Sequence, residues 1–236
     1  TLQAPAVAGS GTLTLPSGTR VLAGTTLNAG NVSFAPLTFA SGNLLTTATA
    51  GSIEYDGRAF YGTPSGALRG LIPGAQYYRN SSARAYPVGS GTNSIFGVGV
   101  TLSSSTVYIM EAQLVWARSA SATHTVSLGF GGTATLNSIS YQTAKIWSGT
   151  AIPVVDSAVQ YSIATTAAMT VMTSSANTQT LSMFLRGSVS VNAGGTFIPQ
   201  QSQSAATGFY TLQIGSYFSI YPIGASGADI VIGNWA

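Results

Sequence analysis

The sequence predicts an all-β protein: an extended β-rich N-terminal segment over residues 1–70, then a β-sandwich or jelly roll over residues 71–236. Three observations carry this expectation. Short apolar runs alternate with period two between Gly, Pro and Asn separators. No ten-residue stretch keeps a helical period. Only 6% of residues are charged, against roughly a quarter in an ordinary soluble domain, and Ser, Thr, Gly, Ala and β-branched residues fill the space.

The first region carries short apolar patches at residues 13–15, 32–34, 37–39, 53–55 and 60–61, each broken by Gly or Pro within a few residues. No patch is long enough to close a core alone, so the segment needs a neighbour or identical copies to pack on. Beyond residue 71 the runs lengthen. Residues 106–116 are the clearest strand. Tyr108, Met110, Ala112, Leu114 and Trp116 alternate onto one face, and Val107, Ile109, Glu111, Gln113 and Val115 onto the other. Both faces are largely apolar, which suits a central or interface strand. Tyr108, Met110, Glu111, Leu114 and Trp116 are therefore the expected interface residues. Val126, Leu128 and Phe130 alternate next. Further strands are expected at 95–100, 133–141, 159–163, 169–172, 181–186, 189–191, 210–214, 217–221 and 230–232. The weakest case is 165–172, which is rich in Ala and Thr. Gly131-Gly132 reads as a turn, and Asn-Ala-Gly-Gly at 192–195 reads as a hairpin.

Composition narrows the function classes. The chain has five acids (Glu54, Asp56, Glu111, Asp156, Asp229), one lysine (Lys145), one histidine (His124) and no cysteine. Acid–base catalysis, metal ligation and thiol chemistry draw on those residue types. The composition argues against an enzyme and implies no cofactor or metal. The arginines are scattered, and the loosest cluster is Arg69, Arg79 and Arg84. That is not the dense basic stripe of a nucleic-acid surface. No run of about 18 apolar residues marks a transmembrane helix, and Gly-broken short strands disfavour a membrane barrel. The sequence opens on Thr1 without a basic-then-apolar leader, which reads as a processed or partial chain.

Several residues invite a sharper reading. Glu54 and Asp56 could form the carboxylate pair of a glycosidase, but neighbours on one strand are poorly placed to straddle a sugar. An Asp56-Gly57 turn balanced by Arg58 is the plainer reading. His124 shares the parity of Val126 and Leu128, and one histidine makes no usual zinc site. A Ser-His-Asp triad from His124 and Asp156 lacks a Gly-x-Ser-x-Gly elbow. Glu111, in mid-strand, calls for a partner if its face is buried, with Arg118 or Arg186 as candidates, within the chain or across a protomer boundary. Tyr77, Tyr78, Arg79, Arg84 and Tyr86 lie in a Gly/Ser/Asn-rich stretch and are the expected surface-recognition residues. Tyr217, Tyr221 and Trp235 form a second aromatic group.

One block carries a resemblance. Ala-Pro-Leu-Thr-Phe-Ala-Ser-Gly at 35–42, Leu-Leu-Thr-Thr at 44–47, Ile-Glu-Tyr-Asp-Gly at 53–57 and Phe-Tyr-Gly-Thr-Pro at 60–64 together resemble a recurring block of fibre and other virion structural proteins of tailed bacteriophages. Gly-Thr-Leu-Thr-Leu-Pro at 11–16 resembles the short β elements that often precede it. Residues 96–111, 128–136 and 187–199 are similar to phage structural proteins of this kind. The resemblance implies a homotrimer, with a C-terminal half similar to jelly rolls of the tumour-necrosis-factor/C1q shape. It implies a virion location, other virion proteins as partners, and host adsorption through a cell-surface glycan or protein. A capsid decoration or head-fibre protein is the alternative. A glycan-binding or glycan-cleaving tailspike domain is another, but no depolymerase carboxylate cluster is recognisable. No nucleic acid and no membrane insertion are implied.

Overall fold

The computed structural model describes residues 30–33, 35, 37–86, 91–118, 124–148, 155–162, 169–174, 179–203, 210–233 and 235. The 11–16 and 13–15 segments lie outside the described residues. So do the side chains of His124, Arg118, Lys145 and Asp156, whose backbones are described. The chain divides into two compact units, Thr1–Phe39 and Ala40–Ala236. In the first, the backbone N–H of Ser33 donates to Asn31 Oδ1 at 2.9 Å, a local Asx turn. Everything below concerns the second. A division at 70/71 would cut through a strand, Gly70–Ile72.

Every element of regular structure among the described residues is a strand, and every pairing is antiparallel. β1 (Ile53–Tyr55), β2 (Phe60–Gly62) and β3 (Gly70–Ile72) form a small meander. The other strands are β4 (Gln76–Arg79), β5 (Arg84–Ala85), β6 (Gly91–Ser94), β7 (Val100–Leu102), β8 (Thr106–Arg118), β9 (His124–Gly131), β10 (Thr135–Ser148), β11 (Val155–Ser162), β12 (Met169–Ser174), β13 (Gln179–Ala193), β14 (Gly195–Gln203), β15 (Tyr210–Leu212) and β16 (Tyr217–Ala225). The larger sheet runs β11-β10-β13-β8, and β8 then pairs β16 along one half and β15 along the other. β4 flanks β16, and β5 flanks β15. The second sheet runs β12-β9-β14, with β6 pairing residues 200–203 of β14 and β7 pairing residues 195–197.

The two sheets enclose one core. Tyr108, Met110, Leu114 and Trp116 of β8 join Met183, Leu185 and Val189 of β13 and Ile139 and Tyr141 of β10. From the second sheet come Val126, Leu128 and Phe130 of β9 and Phe197 of β14. Phe130 stacks on Phe197 (centroids 4.8 Å, 10°) and meets Tyr141 edge-on at 5.2 Å, the two favoured geometries for rings. Burying each large apolar side chain contributes roughly 1.5–3 kcal/mol, so this core dominates the stability of the unit.

Five expectations need correction. Tyr108, Met110, Leu114 and Trp116 are not interface residues: each lies at most 3% exposed inside its own chain. The bulkier of two apolar faces filled the space between the sheets. Residues 192–195 do not close a hairpin, because β13 and β14 belong to different sheets. They make a corner, where a Cβ on Gly194 would stand 2.9 Å from the Leu102 carbonyl oxygen, and one on Gly195 would stand 2.6 Å from Thr133 Oγ1. Residues 95–99 turn between β6 and β7 instead of continuing a strand. Residues 230–232 form no strand. Residues 181–186 and 189–191 fuse into the fifteen-residue β13.

Candidate functional site

Among the described residues β4 is an edge strand held by β16, opposing Tyr77 to Ser219, Tyr78 to Phe218 and Arg79 to Tyr217. Opposed residues share a face. Tyr78 therefore points to the inter-sheet side with Phe218, and Tyr77 and Arg79 point to the solvent side. Tyr77 is 58% exposed and stacks on Tyr217 (5.2 Å, 22°). Tyr78 is 41% exposed and tilts against Phe96 at 5.2 Å.

The remaining two expected recognition residues do other work. Arg84 Nη1 donates to the Phe96 carbonyl at 3.3 Å. Its guanidinium lies under Gly97, whose φ is +75 and where a Cβ would fall 2.5 Å from the guanidinium nitrogens. Gly97 N–H also donates to Ser94 Oγ (3.0 Å), which donates to the Val98 carbonyl (3.4 Å). Arg84 and Ser94 thus pin the 94–98 turn. Tyr86 is a correction: it is 4% exposed, in the core, with its hydroxyl donating to the Ile95 carbonyl at 2.9 Å. Burial pushes its phenol pKa up. A tyrosine whose hydroxyl finds a backbone acceptor is buried at little cost.

These elements frame a cleft of about 290 Å³ at the edge of the sandwich. Gln76, Tyr77 and Tyr78 stand on one side, and Phe96, Val98, Val100 and Thr101 on the other. Phe218, Ile220 and Pro199 lie between. Among the described residues no Asp, Glu, Lys, Arg or His side chain lines it.

A second surface is the solvent side of the larger sheet. Glu111 lies here, directly opposite Arg186 of β13. Arg186 Nη2 and Nε donate to Glu111 Oε1 at 2.8 and 3.1 Å. The pair is intramolecular and open to water, at 75% and 39% side-chain exposure for Arg186 and Glu111. Arg186 is one of the two partners expected for Glu111, and the pair forms within one chain, not between protomers. Around it lie half-buried Val107, Ile109 and Val115, and Phe184 at 45% exposure. Two shallow depressions of about 320 and 610 Å³ share Glu111, Gln142 and Arg186, and Tyr217 and Tyr221 each border one.

The acids near the meander are structural. Glu54 Oε1 accepts from the Leu45 N–H (2.7 Å), and its Oε2 accepts from Arg69 Nε (2.8 Å). Arg69 Nη2 returns to the Leu45 carbonyl at 2.7 Å. The Leu45 N–H, and after it Arg69, hold the Glu54 carboxyl below the usual range against the opposing effect of desolvation. Asp56 Oδ1 accepts from the N–H groups of Arg58 (2.8 Å) and Ala59 (2.7 Å), the turn expected from Asp56-Gly57. Tyr61 donates to Asp56 Oδ2 at 3.1 Å, and its pKa is pushed up to about 12, first by burial and then by that carboxylate. Asp56, Tyr61, Arg69 and Asp229 border one groove of about 470 Å³. Among the described residues no group of three His, Cys, Asp or Glu comes together.

Recognition of the cleft from sequence was partial. Tyr77 and Tyr78 were legible as loop-flanked aromatics. Phe96, Val98 and Val100 were missed because they read as a strand, and no local signal revealed that Gly97 turns the chain. No protein-family model, curated protein or solved structure matches this chain.

Proposed function

We propose that this chain is a non-enzymatic structural protein of a tailed-phage virion, a trimeric fibre or fibre tip that serves host adsorption. The observation that carries the reading is the solvent side of the larger sheet. Val107, Ile109, Val115, Phe184, Tyr217 and Tyr221 spread across it, with Glu111, Arg186 and Arg79 as its charges. A weakly charged, aromatic and β-branched sheet face suits contact with further copies of the same chain. The bacteriophage-like block at 35–64 supports the same assignment.

The five acids support a non-catalytic role. Two-carboxylate glycoside hydrolysis needs a free acid and a free base flanking the bond. In the groove that holds both Asp56 and Asp229, Asp56 is committed to a turn and a tyrosine. A capsid-attached head fibre would share this assembly and differ only in its place on the particle.

Light scattering on the chain with and without Thr1–Phe39 tests the reading. Three times the 24.0-kDa chain mass in both forms is the expected result and puts the contact within Ala40–Ala236. A single-chain mass in both forms would contradict it.

A further inference from the structure

We propose that the cleft between β4 and the 94–98 turn takes an uncharged pyranose ring, the exposed unit of a cell-surface glycan. The proposal rests on the adsorption reading and names its ligand. The cleft's chemistry selects the class. Tyr78 presents a half-exposed ring against Phe96, and Phe218 lies behind them. Such ring faces suit the C–H face of a sugar, while Val98 and Val100 exclude water from it. Gln76, opposite Ile220 and so on the cleft side of β4, has an amide that offers both donor and acceptor capacity. That matches neighbouring sugar hydroxyls, which also donate and accept.

Charge and size narrow it further. No ionised side chain among the described residues lines the cleft, and Arg84 of β5, packed under the 94–98 turn, donates to the Phe96 carbonyl. A sulfate, phosphate or carboxylate on the ligand would meet no counter-charge within the described lining, while Arg84 keeps its charge beneath the turn. The volume of about 290 Å³ sits at the low end of the ~300–1,000 Å³ range of small-molecule sites, which fits one ring or two and not a chain. The wall is preorganised, since Arg84, Ser94 and Gly97 fix the turn before any ligand arrives. A single such site binds weakly, and three on one fibre would sum by avidity.

The test is a calorimetric and saturation-transfer titration of the full chain with the methyl glycosides of glucose, galactose and N-acetylglucosamine. Saturable binding of at least one is expected. Val98→Arg, placed at a position 48% exposed, should abolish it with the melting temperature unchanged. Tyr78→Ala should weaken it about tenfold, and Tyr78→Phe, which keeps the ring, should retain it. Binding that survives Val98→Arg overturns the assignment, as does failure of all three glycosides. So does binding of N-acetylphenylalaninamide alone, which would make the cleft a pocket for a protein side chain. Light scattering on the same samples separates the two readings. A trimer that binds no glycoside loses the cleft and keeps the fibre, and a monomer that binds one keeps the cleft and loses the fibre.

Discussion

The sandwich and the β1–β3 meander are built from the same low-charge sequence but held by different forces. In the sandwich, rings and aliphatic chains from both sheets interlock, and Trp116, Met110, Met183 and Val189 are at most 1% exposed. In the meander, Ile53, Phe60 and Ile72 stay 54%, 36% and 42% exposed, and Tyr55 stacks on Phe60 at 4.5 Å. Three strands of three residues cannot enclose a core. Two of the chain's five acids are there instead, with Glu54 bonded to Leu45 and Arg69, and Asp56 bonded to its own turn and Tyr61. Where apolar burial is scarce, charge-assisted hydrogen bonds set the geometry.

The comparison can be broken at its strongest point first. Trp116→Ala should destabilise the sandwich by about 3–5 kcal/mol, a large part of the ~5–15 kcal/mol typical of a whole domain. Chemical denaturation would show it as a lower midpoint. Asp56→Ala should cost about 1–2 kcal/mol, locally. Hydrogen exchange should quicken over residues 42–72 and stay slow in β8 and β13. If both regions quicken together, the meander is not an independently held unit.

Acid should separate the two regions in the same way. Glu54 is held below its unfolded value of 4.5. Its stabilising effect is therefore complete above that value and lost as pH falls through the lower, folded value. Exchange measured from neutral pH down to acid should open the meander before the sandwich, and Glu54→Gln should remove the difference.

A smaller effect of opposite sign is expected inside the sandwich. Gln201 is 1% exposed, and among the described residues neither its Oε1 nor its Nε2 has a hydrogen-bond partner. Gln201→Met should raise stability by about 1 kcal/mol, since an unpaired buried amide carries a desolvation cost. A lower melting temperature would contradict this. Least of all should follow from Glu111→Gln. Within a single chain the Arg186 pair is solvent-facing, and exposed pairs contribute ~0–1 kcal/mol, so in a chain held as a monomer the melting temperature should hold within a degree or two.

The fold class and most strands were legible because period-two alternation is a local property. β8 read correctly as a strand with two apolar faces. Which face turns inward was not legible, since Ile109 and Val115 are as apolar as Met110 and Leu114, and only the second sheet decides between them. Tyr86 looked like a surface residue because its neighbours are Gly, Ser, Asn and Arg. Its burial depends on the Ile95 carbonyl, nine residues on. The corner at 192–195 has the composition of a hairpin, and only the long-range pairing of β13 with β8 and β10 reveals the change of sheet. The cleft joins β4 and β16 with β7 and β14, strands far apart in sequence, so alternation could supply its individual residues but not their meeting.

The central claim is that copies of this chain meet on the solvent side of the larger sheet. Its most direct test is the solution mass of Phe184→Glu beside the unaltered chain. Phe184 is 45% exposed, so the substitution spares the core while placing a charge on that face. The account predicts three chain masses for the unaltered protein and one for the variant, with equal melting of the isolated fold. A trimer that persists in the variant, or a monomer in both, would contradict it.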